Sequence, residues 1–159
     1  MPKRSAGLLV HRRRPGGLEV LLVHPGGPIW ASKDDGAWTV PKGEYLPGED
    51  PASVADREFA EELGVGAPAG ERRDLGELRQ AGGKLTRLWA LEGDLDVSMA
   101  TSNTFEMEWP PRSGRRGVFP EVDRAGWYSV EEARRKLLAS LVPFLDRLLS
   151  DGATTEAAP

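Results

Sequence analysis

Gly43-Glu44-Tyr45-Leu46-Pro47-Gly48-Glu49-Asp50-Pro51-Ala52-Ser53-Val54-Ala55-Asp56-Arg57-Glu58-Phe59-Ala60-Glu61-Glu62-Leu63-Gly64-Val65 is the stretch on which the reading of this chain turns. Asp50 before Pro51 is a helix start, because Asp suits the N-cap and proline's missing N–H costs nothing at the first helical position. Gly64 supplies the stop, so a helix is expected over residues 51–63. Within it Glu58, Glu61 and Glu62 stand at i, i+3 and i+4 and share an arc of roughly 100°. Ala52, Phe59 and Leu63 lie nearly opposite, as the face that would dock on a sheet. Carboxylates this close repel by roughly 0.2–0.5 kcal/mol per facing pair, so folding does not call for them. A hard divalent cation does, because Mg²⁺ takes oxygen ligands and shares them with substrate phosphates. Taken alone, such a triplet is better explained as a solvated acidic face; its surroundings decide otherwise.

Working outward, residues 6–10 and 18–23 are apolar runs separated by Pro15-Gly16-Gly17, and they read as paired strands. The preceding Arg12-Arg13-Arg14 cluster reads as a solvated turn. A loop from His24 through Gly36 leads to a short strand over 37–40, and Pro41-Lys42-Gly43 opens a second loop ending at Asp50. Residues 85–91 and, more weakly, 74–80 read as strands, as does 105–109, where apolar and acidic residues alternate. Trp127-Tyr128 belongs to a further strand. Ser129 with Glu132 forms a capping box that opens a helix to about Leu138, and a last helix covers 141–149 with Pro143 in its first turn. Interleaved strands and helices imply an α/β fold with a mixed β-sheet. One domain over 1–150 and a disordered tail over 151–159 are expected.

With 159 residues, 39% apolar and 29% charged, the chain suits a single compact core. A net charge of -4 is too mild to dictate a partner, and without a larger basic surface long nucleic acid is not expected. No apolar run reaches membrane-span length and no signal-peptide pattern opens the chain, so neither a membrane nor export is expected. The absence of cysteine removes disulfides, thiolate metal sites and a cysteine nucleophile. A cytoplasmic protein is the expectation.

The spacing around the acidic triplet is specific. Gly43, five residues, Glu49, seven residues, Arg57-Glu58-Phe59, one residue, Glu61-Glu62, one residue, Gly64-Val65 matches the Nudix box at every position. Its fixed residues would coincide by chance on the order of once in 10⁸ starts. The chain therefore resembles the Nudix hydrolases. That resemblance implies a Nudix α/β/α sandwich, and a metal site formed by the main-chain carbonyl of Gly43 with Glu58, Glu61 and Glu62. It implies Glu58 or Glu61 as general base, and an ion pair between Glu49 and Arg57 that holds loop and helix in register. Mg²⁺ or Mn²⁺ would be the cofactor, and the reaction would be hydrolysis of a phosphoanhydride in a nucleotide-like small molecule.

Outside the box, the family commonly adds an acidic residue from a later strand or loop. Glu106 and Glu108 are the candidates, on the strand face opposite Phe105, Met107 and Trp109. Lys42 is a candidate phosphate contact as a point charge. Trp30 is a candidate platform for a base, against core or rim packing as the ordinary role of tryptophan. Residues 110–116, ending in Arg115-Arg116, read as a mobile basic loop suited to a charged substrate tail. His11 and His24 read as surface or turn residues.

Substrate markers conflict. Gln80 stands where ADP-ribose pyrophosphatases resemble one another in a proline. Ala81-Gly82-Gly83 replaces a tyrosine of diadenosine polyphosphate hydrolases, although Trp38-Thr39-Val40-Pro41-Lys42-Gly43 is similar to that group's approach to the box. The cysteine of the isopentenyl diphosphate isomerase branch is absent. Overall the chain looks most like bacterial predicted nucleoside triphosphate pyrophosphohydrolases. A nucleoside triphosphate or dinucleoside polyphosphate is the expected substrate; the rival is a nucleotide-sensing Nudix module without catalysis. A homodimer is in keeping with the family resemblance.

Overall fold

The apolar runs near the start of the chain divide their side chains between two cores. Leu9, Val20 and Leu22 enter one cluster, and Leu8, Val10, Leu21 and Val23 enter the other. Strands buried on both faces read as continuous apolar runs, so the sheet must be covered by helices on both sides. The computed structural model, which describes residues 2–157 with side chains to residue 150, has that form.

In chain order the elements are β1 (Arg4–Arg14), β2 (Gly17–Pro25), β3 (Lys42–Tyr45), α1 (Pro51–Leu63), β4 (Arg73–Arg79), β5 (Leu85–Glu92), β6 (Thr104–Glu108), β7 (Arg116–Pro120), β8 (Val122–Ser129), α2 (Val130–Lys136) and α3 (Val142–Ala157). Among the described residues the main sheet runs β4-β5-β1-β2-β8, with β3 paired to the first residues of β1. The β1–β5 pair is parallel and the others are antiparallel, giving a mixed sheet. Strands β6 and β7 form a separate antiparallel hairpin. The expectation of a disordered tail over 151–159 lies outside the residues described in full.

Helix α1 packs Ala55, Phe59 and Leu63 against Ala6, Leu8, Val10 and Leu91 on one face. Full burial of a side chain such as Phe59 is worth about 1.5–3 kcal/mol. On the other face Ala133 of α2 and Phe144, Leu145 and Leu148 of α3 cover Leu88, Ala90 and Leu22. Two of the three caps read from the sequence are made, while Asp50 stands at the N-cap of α1 without a side-chain bond to the helix amides. Gly64 ends α1 at φ 74°, and Ser129 accepts from the Glu132 amide at 3.1 Å in the capping box of α2.

Four local expectations are corrected. Residues 37–40 form no ladder, because Thr39 bonds back to Val23 while Trp38 bonds to Lys136, on a different element. Residues 42–45, expected as loop, pair with residues 4–7 of β1, whose edge is longer than its apolar run. Arg12, Arg13 and Arg14 belong to β1 rather than to a turn. Arg12 is paired with Glu19 and Asp94 and lies 4.1 Å from the Trp127 ring centroid. His24 is fully buried, with Nδ1 2.7 Å from Asp123 Oδ1 and Nε2 2.7 Å from the Lys33 carbonyl.

Candidate active site

Strand β3 and helix α1 bring the box together. Gly43 lies on β3 directly beneath Glu58, and a Cβ at that position would occupy the space taken by the Glu58 carboxylate. The glycine is therefore a requirement of close approach, and it leaves its main chain open to whatever Glu58 binds. Glu62, one turn on, is 9% exposed and sits on the sheet side of α1 with Val54, Phe59 and Leu63. Glu61 is outside, its side chain 43% exposed. The three glutamates thus grade from solvent to core across one helix, and Ala52, placed by spacing on the docking face, is only half-buried.

This grading sets the electrostatics. Burial holds the Glu58 carboxyl above its ordinary range, with the charge of Glu61 next and Arg57 opposing. Burial pushes Glu62 up to about 8, Glu58 adds to it, and Lys42 pulls the other way. Lys42 itself is held below the usual lysine range, first by burial and then by Lys84, against Glu62, Glu44 and Glu58. A side chain at the end of α1 that must be neutral or compensated near pH 7 is costly to keep unless a cation joins it.

Arg57 is the nearest compensating charge on the outer side. Its Nη2 is 3.6 Å from Glu58 Oε1, its Nε 3.9 Å from Glu61 Oε1, and its Nη1 3.5 Å from Glu49 Oε2. Glu49 also accepts the Leu46 amide at 2.8 Å, which closes the loop before the helix.

The later glutamates fall elsewhere. Glu106 and Glu108 are exposed on the outer side of the β6–β7 hairpin. Glu108 accepts the amides of Arg112 at 3.3 Å and Gly114 at 3.0 Å, so it shapes the hairpin turn. The stretch 110–116 is accordingly a turn ordered around a carboxylate, and Arg116 is the first residue of β7. Arg115 and Arg116 are exposed there.

A different carboxylate does act on the cluster. The charge of Glu121 raises both Glu58 and Glu62. Its position follows from a chain of main-chain hydrogen bonds: the Asn103 amide donates to the Glu61 carbonyl at 2.8 Å, the Glu121 amide to the Asn103 carbonyl at 2.9 Å, and the Gly26 amide to the Glu121 carbonyl at 2.9 Å. The end of α1 is thereby tied to the β7–β8 junction and to the loop after β2. Sequence reading missed Glu121 because a lone glutamate between Pro120 and Val122 carries no spacing signal.

Residues 1–151 match the family model of the NUDIX domain. The chain belongs to the Nudix family. It is 38% identical over 65 residues to the asymmetrical bis(5'-nucleosyl)-tetraphosphatase of Caenorhabditis elegans, a match covering 41% of this chain and 43% of that protein. Its Nudix fold is similar to that of a C. elegans Ap4A hydrolase in a binary complex, with TM-score 0.63, 23% identity, and coverage of 96% of this chain and 98% of that one. It is also similar to the NUDIX domain of Shewanella oneidensis NrtR complexed with ADP ribose, with TM-score 0.65, 14% identity, and coverage of 95% and 88%. Identities this low establish the Nudix fold alone. Among the described residues no helix is long and apolar enough to cross a membrane.

The Nudix box residues fit a divalent cation by donor chemistry. Every candidate ligand is a hard oxygen, and burial holds both Glu58 and Glu62 above the ordinary carboxyl range, a cost that a bound cation would relieve. Among the described residues no three His, Cys, Asp or Glu side chains stand as a group that could hold a metal ion in this arrangement.

Proposed function

We propose that this Nudix protein is a Mg²⁺- or Mn²⁺-dependent hydrolase that cleaves a phosphoanhydride in a nucleoside triphosphate or dinucleoside polyphosphate. One observation carries the reading: Glu58 and Glu62 are held above their ordinary carboxyl range beside Glu121, with Gly43 emptied of a side chain to admit Glu58. Such a cluster is a cost to folding and a fit to a cation shared with phosphate.

In this reading Gly43 through its carbonyl, Glu58, Glu61, Glu62 and Glu121 would hold the metal. Glu121 takes the role that the sequence offered to Glu106 and Glu108. When bound, the metal would neutralise phosphate charge and make a water more acidic. Glu58 or Glu61 accepts the proton of the attacking water. Lys42 meets a phosphate oxygen from the floor of the site, where burial strengthens a point charge. Arg57 and Glu49 hold the loop against α1, so that the glutamates present one face.

The C. elegans relative is named for a dinucleoside tetraphosphate, which supports that substrate class. The test is a panel of nucleoside triphosphates and dinucleoside polyphosphates with and without Mg²⁺, products resolved by chromatography. Cleavage of a phosphoanhydride that stops with chelator is expected. No turnover of any member, with bound metal verified, would instead assign a nucleotide-sensing module.

A further inference from the structure

His24 stands where β2 and β8 part. The two strands pair residue for residue from Glu19 to His24, and His24 is matched to Arg124. The register then slips, so that Pro25 is matched to Val122 and Asp123 is the extra residue. A bulge of this kind re-aims a side chain out of its strand's alternation. Arg124 lies over the Trp38 ring at 5.3 Å, and Asp123 is turned to the same face, where its Oδ1 is 2.7 Å from His24 Nδ1. Nε2 of the same ring is 2.7 Å from the Lys33 carbonyl.

The two partners fix what the ring must do. A main-chain carbonyl only accepts, so Nε2 donates; an ionised carboxylate only accepts, so Nδ1 donates as well. Arg124 Nε lies 3.7 Å from the same Asp123 oxygen, a second cation on that carboxylate. The ring itself is fully buried and meets Trp38 edge-on at 5.2 Å. Val20 and Leu22, which precede it in the same core cluster as Trp38, are aliphatic, so packing alone would be met by a third aliphatic side chain. A buried ring with two polar atoms is costly unless both are bonded, and here both are.

Each bond holds a different segment. Lys33 belongs to the loop after β2, where its amide donates to the Trp30 carbonyl at 2.9 Å and its ammonium lies 5.0 Å from the centroid of the half-buried Trp30 ring. The far end of that loop is fixed on α2, through the Gly36 amide on the Arg135 carbonyl and Asp34 on Trp38 Nε1 and Lys136. Asp123 stands two residues past Glu121, whose carbonyl accepts the amide of Gly26, two residues past His24. Two ties thus bracket the bulge, one through side chains and one through the main chain. We propose that His24 is a positioning residue that works through both ring nitrogens: Nδ1 sets the start of β8, and with it Glu121, while Nε2 sets the loop from Gly26 to Gly36. The effect on Glu121 rests on the hydrolase reading; the effect on the loop does not.

The full chain labelled with ¹⁵N-histidine tests the donor roles without any variant. The chain has two histidines, so each ring is read separately in a long-range ¹H–¹⁵N correlation in chelator. His24 should show N–H at both ring nitrogens; a bare nitrogen there overturns the proposal, and this readout decides even if a buried substitution prevents folding. Two variants then separate the segments. Asparagine carries its amide nitrogen on Cγ, as Nδ1 is carried, and glutamine on Cδ, as Nε2 is carried. His24→Asn should speed exchange of the Lys33 and Gly36 amides by about tenfold while Mg²⁺ affinity, read by calorimetry, stays within about twofold. His24→Gln should keep loop exchange within about twofold and weaken Mg²⁺ binding by about tenfold. A merely structural histidine would lose both properties together in each variant, and that result overturns the proposal, as does no change in either. A parent that binds no Mg²⁺ would remove the hydrolase reading and the Glu121 half of the proposal, while the ring signal and the loop exchange would still decide the other half.

Discussion

The carboxylate of Glu58 fills the place that a side chain at Gly43 would take. Residue 43 is in extended strand, where alanine costs the backbone nothing. Gly43→Ala should therefore fold and melt within a few degrees of the parent, because the displaced atoms are the far end of a side chain. Glu58 should swing away, and turnover should fall by at least 10²-fold, about 2.7 kcal/mol of transition-state stabilisation. Melting curves beside a rate assay check both halves; a variant as active as the parent would remove Glu58 from the site.

Glu62 predicts a pH dependence in the metal-free protein. Its carboxyl rises from 4.5 to about 8 on folding, mainly through burial and then through Glu58. Across that window the folded chain binds more protons than the unfolded one, so stability is full below pH 4.5 and falls as pH rises toward 8. The slope owed to this group is about 1.4 kcal/mol per pH unit. Denaturant melts in chelator from pH 5 upward should show the decline, and Glu62→Gln should flatten it. An unchanged slope in the variant sinks the assignment.

Replacing Glu61 and Glu62 together by Gln keeps helix propensity and removes one exposed charge and one buried carboxyl that is costly to ionise. In chelator the double variant should be at least as stable as the parent. With Mg²⁺ at a hundred times its dissociation constant the parent should gain about 2.7 kcal/mol, and the variant much less. Turnover should drop at least 10²-fold. Thermal melts with and without metal read the first effect, and equal gains in the two proteins would contradict it.

Glu121 and Glu106 offer a paired comparison. Glu121→Gln should weaken Mg²⁺ binding and slow turnover by about tenfold or more, since it removes a charge that acts on Glu58 and Glu62. Glu106→Gln, on the exposed outer face of the hairpin, should leave Mg²⁺ affinity within twofold. Titration of Mg²⁺ into both variants decides which acidic residue completes the site. The opposite ranking would restore the hairpin glutamate.

What the sequence disclosed was what is local. The ends of α1 were legible because Pro51 and Gly64 act on their own neighbours, and the grouping of Glu58, Glu61 and Glu62 follows from helical spacing. Strand β3 was not legible, because its pairing depends on the edge of β1 some forty positions earlier. His24 looked like a turn residue until Asp123, 99 positions away, and the Lys33 carbonyl took its two ring nitrogens in the core. Glu121 was hidden for the same reason. Its place comes from main-chain bonds to Asn103 and Gly26, and main-chain bonds leave no mark in side-chain identity.

The hydrogen-bonded link from α1 through Asn103 and Glu121 to Gly26 has a consequence for how such a protein tolerates change. The glutamates belong to a capped helix, whereas Ile29, Trp30, Phe105 and Met107 line a cavity between a glycine loop and an outlying hairpin. Randomising positions 29, 30, 105 and 107 would reshape that cavity while leaving α1, β3 and their packing on the sheet untouched. The two regions can drift as nearly independent traits, with Glu121, which lines the cavity and is tied by its main chain toward α1, as the position where they are inherited together.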